Sequence, residues 1–351
     1  MTQKKRKKWP LILAIILGLL SLAYLLGPKP SKPDFTKLIV REYSSDLRKL
    51  EDSIKIAESY EILKPDNEAR IIWAQDHEPT AYSMVYLHGN VASQEEGDPI
   101  HEALAHRYGC NLFLARLAKH GKMDADPMKD IEADEWMQSA LDAVMVGHKI
   151  GEKVILVSCS TGSTLALYLS SKYPDLVDGH IMLSPNVDIF DSRSFLLTQP
   201  FGLQIARKIT GSNYYGWKAP GPAQAYWYKN YRIEGLCTLK SIINTTMNEE
   251  TFRNVKDPVL MLYYYQNEAL QDSVVSVARM REMYAQLGTP SEQKREAALP
   301  DVGTHIIASD IFSHDLESVY QHAAKFCEEI LHLQPLNNDG WRPFLDRPLT
   351  Y

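Results

Sequence analysis

No two cysteines in this chain stand at C-x-x-C spacing: Cys110, Cys159, Cys237 and Cys327 are the only four in 351 residues, and they are scattered. That argues against a zinc site or a disulfide scaffold as an organising feature. Cys159 reads as a small buried residue. A basic field is lacking as well. The formal net charge is -6, which offers nothing to a nucleic-acid backbone. What is present, 45% hydrophobic and 23% charged residues, is enough to bury one large core or two smaller ones.

Basic residues concentrate at the extreme N-terminus, where Lys4, Lys5, Arg6, Lys7 and Lys8 precede an uncharged, mostly apolar run from Trp9 to Leu26. About 18 residues at about 1.5 Å each nearly span a bilayer core of about 30 Å, and such a cluster stays on the cytoplasmic side. The expectation is a basic cytoplasmic tail over 1–8, a single-pass transmembrane anchor over 9–27, and everything beyond it on the outward, periplasmic or extracellular side. A cleaved signal peptide is the alternative, but no A-x-A-like site follows the run. Pro28, Pro30 and Pro33 read as a stiff linker, and 35–63 as one or two charged amphipathic helices outside the core, giving a linker and outer helical segment over 28–66.

Within Lys153–Lys172, KVILVSCSTGSTLALYLSSK, a branched apolar run from Val154 to Val157 suits a strand buried on both faces, and Leu165, Ala166 and Leu169 then recur at helical spacing. The strand turns into a helix at Ser160. In a nucleophile elbow this turn strains the serine backbone and exposes its hydroxyl above the sheet, with small neighbours such as Gly162 letting strand and helix approach. The pattern here is S-x-S-x-G, with Ser158 where the first glycine of G-x-S-x-G stands. The bland alternative is a strand-to-helix turn in which Ser160 caps the helix.

Upstream, strands are expected at 70–74 and 81–87, the second ending in His88-Gly89-Asn90. A serine hydrolase stabilises a negative oxygen with two backbone N–H groups, one from the loop after such a strand and one from the residue after the nucleophile. Asn90 and Thr161 are the candidate oxyanion donors, with His88, Gly89 and Gly162 supporting. A short apolar run at 111–115, the loop Arg116-Leu117-Ala118-Lys119-His120-Gly121, a helix facing inward with Trp136, Ala140, Val144 and Gly147, and a strand at 180–183 ended by Ser184-Pro185 complete a rhythm that implies a mostly parallel sheet.

The order strand-HGN, strand-RLAKHG, helix, strand-SCSTG-helix, strand-LSP resembles the α/β-hydrolase superfamily, and within it the branch of monoacylglycerol lipases, carboxylesterases and serine-aminopeptidase-like hydrolases. His120 and Gly121 match the P-G-H-G-like loop of that branch; Ala118 and Lys119 depart from it. The likeness runs over about residues 70–331. It implies an α/β-hydrolase domain over 67–335 and a Ser, acid, His triad in that chain order. After a strand at 259–265, Asp272-Ser273-Val274-Val275 looks like the family's D-x-V-V continuation, so Asp272 is the expected acid, with Glu268 as the alternative. His305, in Val302-Gly303-Thr304-His305 after the last strand, occupies the place of the general base. His314 and His322 read as surface residues near the final helix.

Between Pro185 and Pro258 lie about seventy residues where a bare crossover needs about a dozen. The excess reads as a helical cap over about 188–256. It carries Tyr214, Tyr215, Trp217, Tyr226, Trp227, Tyr228 and Tyr231, either an aromatic roof over an acyl chain or at a membrane interface, or the cap's own core. An irregular tail follows over 336–351, with Trp341 and Phe344 placed to dock. The expected function is membrane-anchored serine hydrolysis of a small-molecule acyl substrate, a carboxylic ester, through an acyl-enzyme. No metal or organic cofactor is required and no nucleic acid is bound; the oligomeric state is open. A peptidase or acyltransferase on the same triad, and a non-catalytic binding protein on the same fold, are the alternatives.

Overall fold

The computed structural model describes residues 9–337, together with 341 and 342. In chain order the elements are α1 (Trp9–Leu25), α2 (Leu47–Ser59), β1 (Arg70–Ile72), β2 (Thr80–Leu87), α3 (Ile100–Tyr108), β3 (Asn111–Leu114), α4 (Ala133–Ile150), β4 (Gly151–Cys159), α5 (Thr161–Lys172) and β5 (Gly179–Leu183). Then follow α6 (Gly202–Thr210), β6 (Tyr214–Gly216), β7 (Asn230–Arg232), α7 (Ile233–Thr246), α8 (Glu249–Asn254), β8 (Val259–Asn267), β9 (Leu270–Gln271), α9 (Val277–Gln286), β10 (Lys294–Leu299) and α10 (Leu316–Glu329).

One sheet organises the domain in the order β1-β3-β2-β4-β5-β8-β10, with β9 paired to β8. The interior pairs from β3 to β10 are parallel, and β1 and β9 run antiparallel to their neighbours. The central strands are apolar along their length because both faces are covered. Side-chain alternation sorts them: Val85 and Leu87 of β2 face a core shared with α4, α5 and α9, while Met84 and Tyr86 face a core shared with α3 and α10. Parallel strands between covering helices place their C-terminal ends along one edge of the sheet, and there the chain delivers His88-Gly89-Asn90, Ser160 and the loop after β8.

The insertion between β5 and β8 differs from the all-helical cap expected. Beside α6, α7 and α8 it holds a two-stranded antiparallel ribbon, Tyr214↔Arg232 to Gly216↔Asn230, where paired tyrosines favour extended backbone over helix. Its aromatics divide between two tasks. Tyr226, Trp227, Tyr228 and Tyr231 are buried, whereas Tyr215 is exposed.

The N-terminal expectation needs correction. α1 has 17 residues, about 25 Å at about 1.5 Å per residue against a bilayer core of about 30 Å, and no helix among the described residues is long and apolar enough to cross a membrane. The single-pass anchor, the membrane partnership through it and the outward-facing localisation are therefore withdrawn. The helix stops because Gly27 and Pro28 follow, and the chain is pinned there: Phe201 N–H donates to Pro28 O at 2.7 Å. The proline-rich stretch is not a free spacer either. Asp34 N–H donates to Asp134, and the Ile39 backbone makes two 2.8 Å bonds to the Gln138 amide of α4. Phe35, Leu47 and Leu50 are buried, so this segment contributes to the core that it was expected to flank. The basic residues 4–8 and Phe344 lie outside the described residues; Trp341 donates its indole N–H to Glu317 of α10 at 2.9 Å.

Candidate active site

Ser160 sits between β4 and α5 with φ 49° and ψ -117°, a conformation costly for a residue with a side chain and sustained only where the surroundings fix it. They do so through the backbone: Ser160 N–H donates to Leu183 O, and Asn186 N–H to Ser160 O, each at 3.0 Å. The side chain makes no capping bond to α5, which removes the helix-cap reading. Ser158, in place of the expected glycine, is accommodated because its hydroxyl meets that of Ser163 one helical turn on, at 2.9 Å.

Gly162 has no such latitude. A Cβ there would lie 2.0 Å from Leu87 O and 2.8 Å from His88 O, backbone atoms that cannot swing aside. Gly162→Ala must therefore push the end of β2 away from the elbow. The expected result is a loss of at least about 1–3 kcal/mol, measured as a lower urea midpoint at unchanged slope.

The same approach sets the His88-Gly89-Asn90 turn against the serine, since a Cβ on Gly89 would lie 3.0 Å from Ser160 Cβ. Buried His88 holds this turn: its Nδ1–H donates to Gly89 O at 2.9 Å and its Nε2 accepts Leu117 N–H at 3.1 Å. Burial pushes its pKa down to about 4, so the ring stays neutral and serves both bonds. The backbone N–H groups of Asn90 and Thr161 have no acceptor among the described residues.

The two candidate acids sit in different places. Asp272 is fully buried; its Oδ1 accepts the N–H groups of Val274 and Val275 at 2.8 and 3.0 Å, and its Oδ2 accepts His305 Nδ1–H at 2.6 Å. Glu268 is instead exposed and bonded to Tyr265 and Gln271 on the β8–β9 turn. Burial would lower the His305 pKa, but the charge and hydrogen bond of Asp272, with Glu96 contributing, hold it above the ordinary histidine value. His314 and His322 are exposed.

No family model and no curated relative match the chain; solved structures do. A metagenome-derived lipolytic enzyme of the LipS and LipT pair superposes with a TM-score of 0.61 at 17% identity, covering 76% of this chain and 98% of its own. Est1E from Butyrivibrio proteoclasticus, with ferulic acid bound, gives 0.53 at 15% identity, covering 76% and 95%. The monoacylglycerol lipase of Paleococcus ferrophilus gives 0.52 at 14% identity, covering 72% and 98%. The chain has the α/β-hydrolase fold.

In this α/β-hydrolase fold, Ser160, His305 and Asn90 open onto one cavity of about 370 Å³, within the range of small-molecule sites. Its far wall comes from the cap and is mostly apolar: Leu197, Ile205, Ile209, Trp217, Tyr231 and Leu236 contribute, beside Asp191 and Arg193. Tyr231 lines the cavity while packed in the core, so the insertion's aromatics serve its own packing as well as the cavity wall.

Sequence reasoning passed over two buried carboxylates, one of them against the His88-Gly89-Asn90 turn. Glu96, 2% exposed, borders the cavity, and Glu95, 3% exposed, accepts from the Ser309 hydroxyl. In the sequence both look like solvated loop charges, because the 3-10 turn Gln94–Gly97 that buries them carries no periodic pattern. Burial, with the charges of Asp98, Asp310 and Asp66, pushes Glu95 up to about 9. An unfolded glutamate ionises near pH 4.5, so between about 4.5 and 9 the unfolded chain sheds a proton that the folded chain keeps. Stability is therefore expected to fall as pH rises through this window, by at most about 1.4 kcal/mol per unit. Glu95→Gln should remove that slope from the thermal midpoint measured against pH.

Among the described residues, Asp98, His101 and Glu102 bring one potential ligand atom each within 4.8 Å of one another. All three take part in other interactions of the fold, and no metal role is assigned to them.

Proposed function

We propose that this protein is a serine hydrolase that cleaves carboxylic esters of apolar acids through an acyl-enzyme. The observation that carries the reading is the 2.6 Å bond between His305 Nδ1 and buried Asp272, in the same cavity as a serine held in a positive-φ elbow.

With Nδ1–H committed to Asp272, the Nε2 lone pair of His305 is left to take a proton. Ser160 Oγ attacks the acyl carbonyl as its proton passes to Nε2. The carbonyl oxygen becomes negative and is held by the N–H groups of Asn90 and Thr161. Collapse breaks the bond to the leaving oxygen, which departs with the proton from Nε2. Water then repeats the sequence on the acyl-enzyme, releasing the acid and restoring Ser160. The apolar cap wall suits an apolar acyl group, and the lipolytic and esterase neighbours are consistent with an ester substrate.

The test is to treat the full chain with an alkyl fluorophosphonate, map the modified peptide, and assay p-nitrophenyl esters of increasing acyl length. Modification at Ser160 and a rate that rises from acetate towards longer chains are expected. A folded protein that takes up no probe at Ser160 would leave only the binding-protein reading of this fold.

A further inference from the structure

Among the ionisable side chains lining the cavity, which include Asp191, Arg193, Tyr215, Tyr231 and His305, Glu96 is the carboxyl that bonds to the turn carrying Asn90. Its Oε2 accepts Gly89 N–H at 2.5 Å. A Cβ on Gly89 would lie 2.7 Å from Glu96 Oε1 and 3.0 Å from Ser160 Cβ, so the carboxyl, the turn and the serine close around a residue with no side chain. Among the described residues no cation forms an ion pair with Glu96 within 4.0 Å. The titratable groups facing it are Tyr86 of β2, Cys159 of β4 and His305, with Asp272 behind His305 and Glu95 adjacent in the chain. Tyr86 and Cys159 are both held uncharged by burial. A buried carboxyl without a cation is costly to keep, and this one is kept against the turn that supplies an oxyanion donor.

We propose that Glu96 is a positioning residue for the oxyanion site: its carboxyl clamps the Gly89 amide, so aiming the neighbouring Asn90 N–H at the cavity, and the reaction runs with that carboxyl protonated. The inference rests on the serine-hydrolase reading. A neutral carboxyl still accepts Gly89 N–H through one oxygen and places no charge beside the substrate oxygen as it becomes negative. An ionised one keeps the clamp but opposes that negative charge in a water-poor site.

The sign of the pH dependence follows. Burial pushes Glu96 up to about 7, against the pull of the Gly89 N–H, so the neutral form dominates below neutrality and is lost above it. His305 must be unprotonated to accept the serine proton, and its pKa is raised. Activity therefore has an acid limb set by the protonation of His305 and an alkaline limb set by the ionisation of Glu96.

The experiment follows the second-order rate of Ser160 modification by the alkyl fluorophosphonate, and kcat and KM for p-nitrophenyl butyrate, from about pH 5 to about pH 9, in the native chain, E96Q and E96A. E96A, without a clamp, should lose at least about tenfold in kcat with little change in KM. E96Q, whose amide oxygen still accepts Gly89 N–H, should recover most of that loss. Its alkaline limb should disappear, while the acid limb, which belongs to His305, should remain. Superimposable native and E96Q profiles, or an E96A that reacts like the native chain, would overturn the proposal while leaving the hydrolase reading intact. A native chain unmodified at Ser160 at every pH would remove both.

Discussion

Replacing Ser160 with alanine is expected to lower ester hydrolysis by about 10⁴- to 10⁶-fold and to abolish fluorophosphonate uptake. The size follows from what is lost. The acyl-enzyme route disappears, and with it the division of one difficult displacement into two easier ones. What survives is whatever the Asn90 and Thr161 amides and the cavity contribute to direct attack by water. The fold should tolerate the change, because the hydroxyl makes no capping bond and the strained backbone is held by Leu183 O and Asn186 N–H, neither of which involves the side chain. Removing a hydroxyl from a positive-φ site relieves no strain, so the thermal midpoint should stay close to that of the native chain. A residual rate within tenfold of the native one, in a preparation free of contaminating esterase, would remove Ser160 from the nucleophile's role.

The central sheet and the elbow were legible because they obey local rules. Val154–Val157 is apolar on both faces because both faces are covered, and the small residues of SCSTG are there because backbone from β2 approaches to within contact of Gly162. Short-range patterns of this kind survive in a single sequence. Other features depend on partners far away in the chain. The choice between Asp272 and Glu268 turns on which side of the β8–β9 turn faces His305, a residue more than thirty positions on, and spacing alone left it open. The burial of Glu96 arises from the packing of a 3-10 turn against β2 and β4, and no periodicity announces it. The N-terminal run misled because hydropathy registers an apolar stretch without registering where its helix ends; Gly27 and Pro28, bonded to the cap through Phe201, end it after 17 residues. The ribbon β6–β7 was hidden for a related reason, since its aromatics satisfy a helical cap core and a strand pair equally well until the tertiary partner is known.

The second large effect belongs to Asp272. Asp272→Asn should reduce kcat by about 10⁴-fold while Glu268→Gln leaves it within about twofold. In the native site Oδ1 is committed to the N–H groups of Val274 and Val275, and Oδ2 to His305. An asparagine keeps the first pair through its carbonyl oxygen, which turns its NH₂ towards the ring. His305 Nδ1 must then accept rather than donate, its proton moves to Nε2, and the nitrogen that should take the serine proton already carries one. The electrostatics act in the same direction. Without the Asp272 charge, burial is the dominant influence left on His305 and drives its pKa below the ordinary value instead of above it. The developing imidazolium loses its stabilisation along with its orientation. Glu268, exposed and bonded only to its own turn, should register none of this. Comparing kcat for the two variants on one p-nitrophenyl ester, with KM as the control for binding, decides the assignment. A large loss in Glu268→Gln with a small one in Asp272→Asn would mean that the loop after β8 rearranges when substrate binds and that the acid is Glu268.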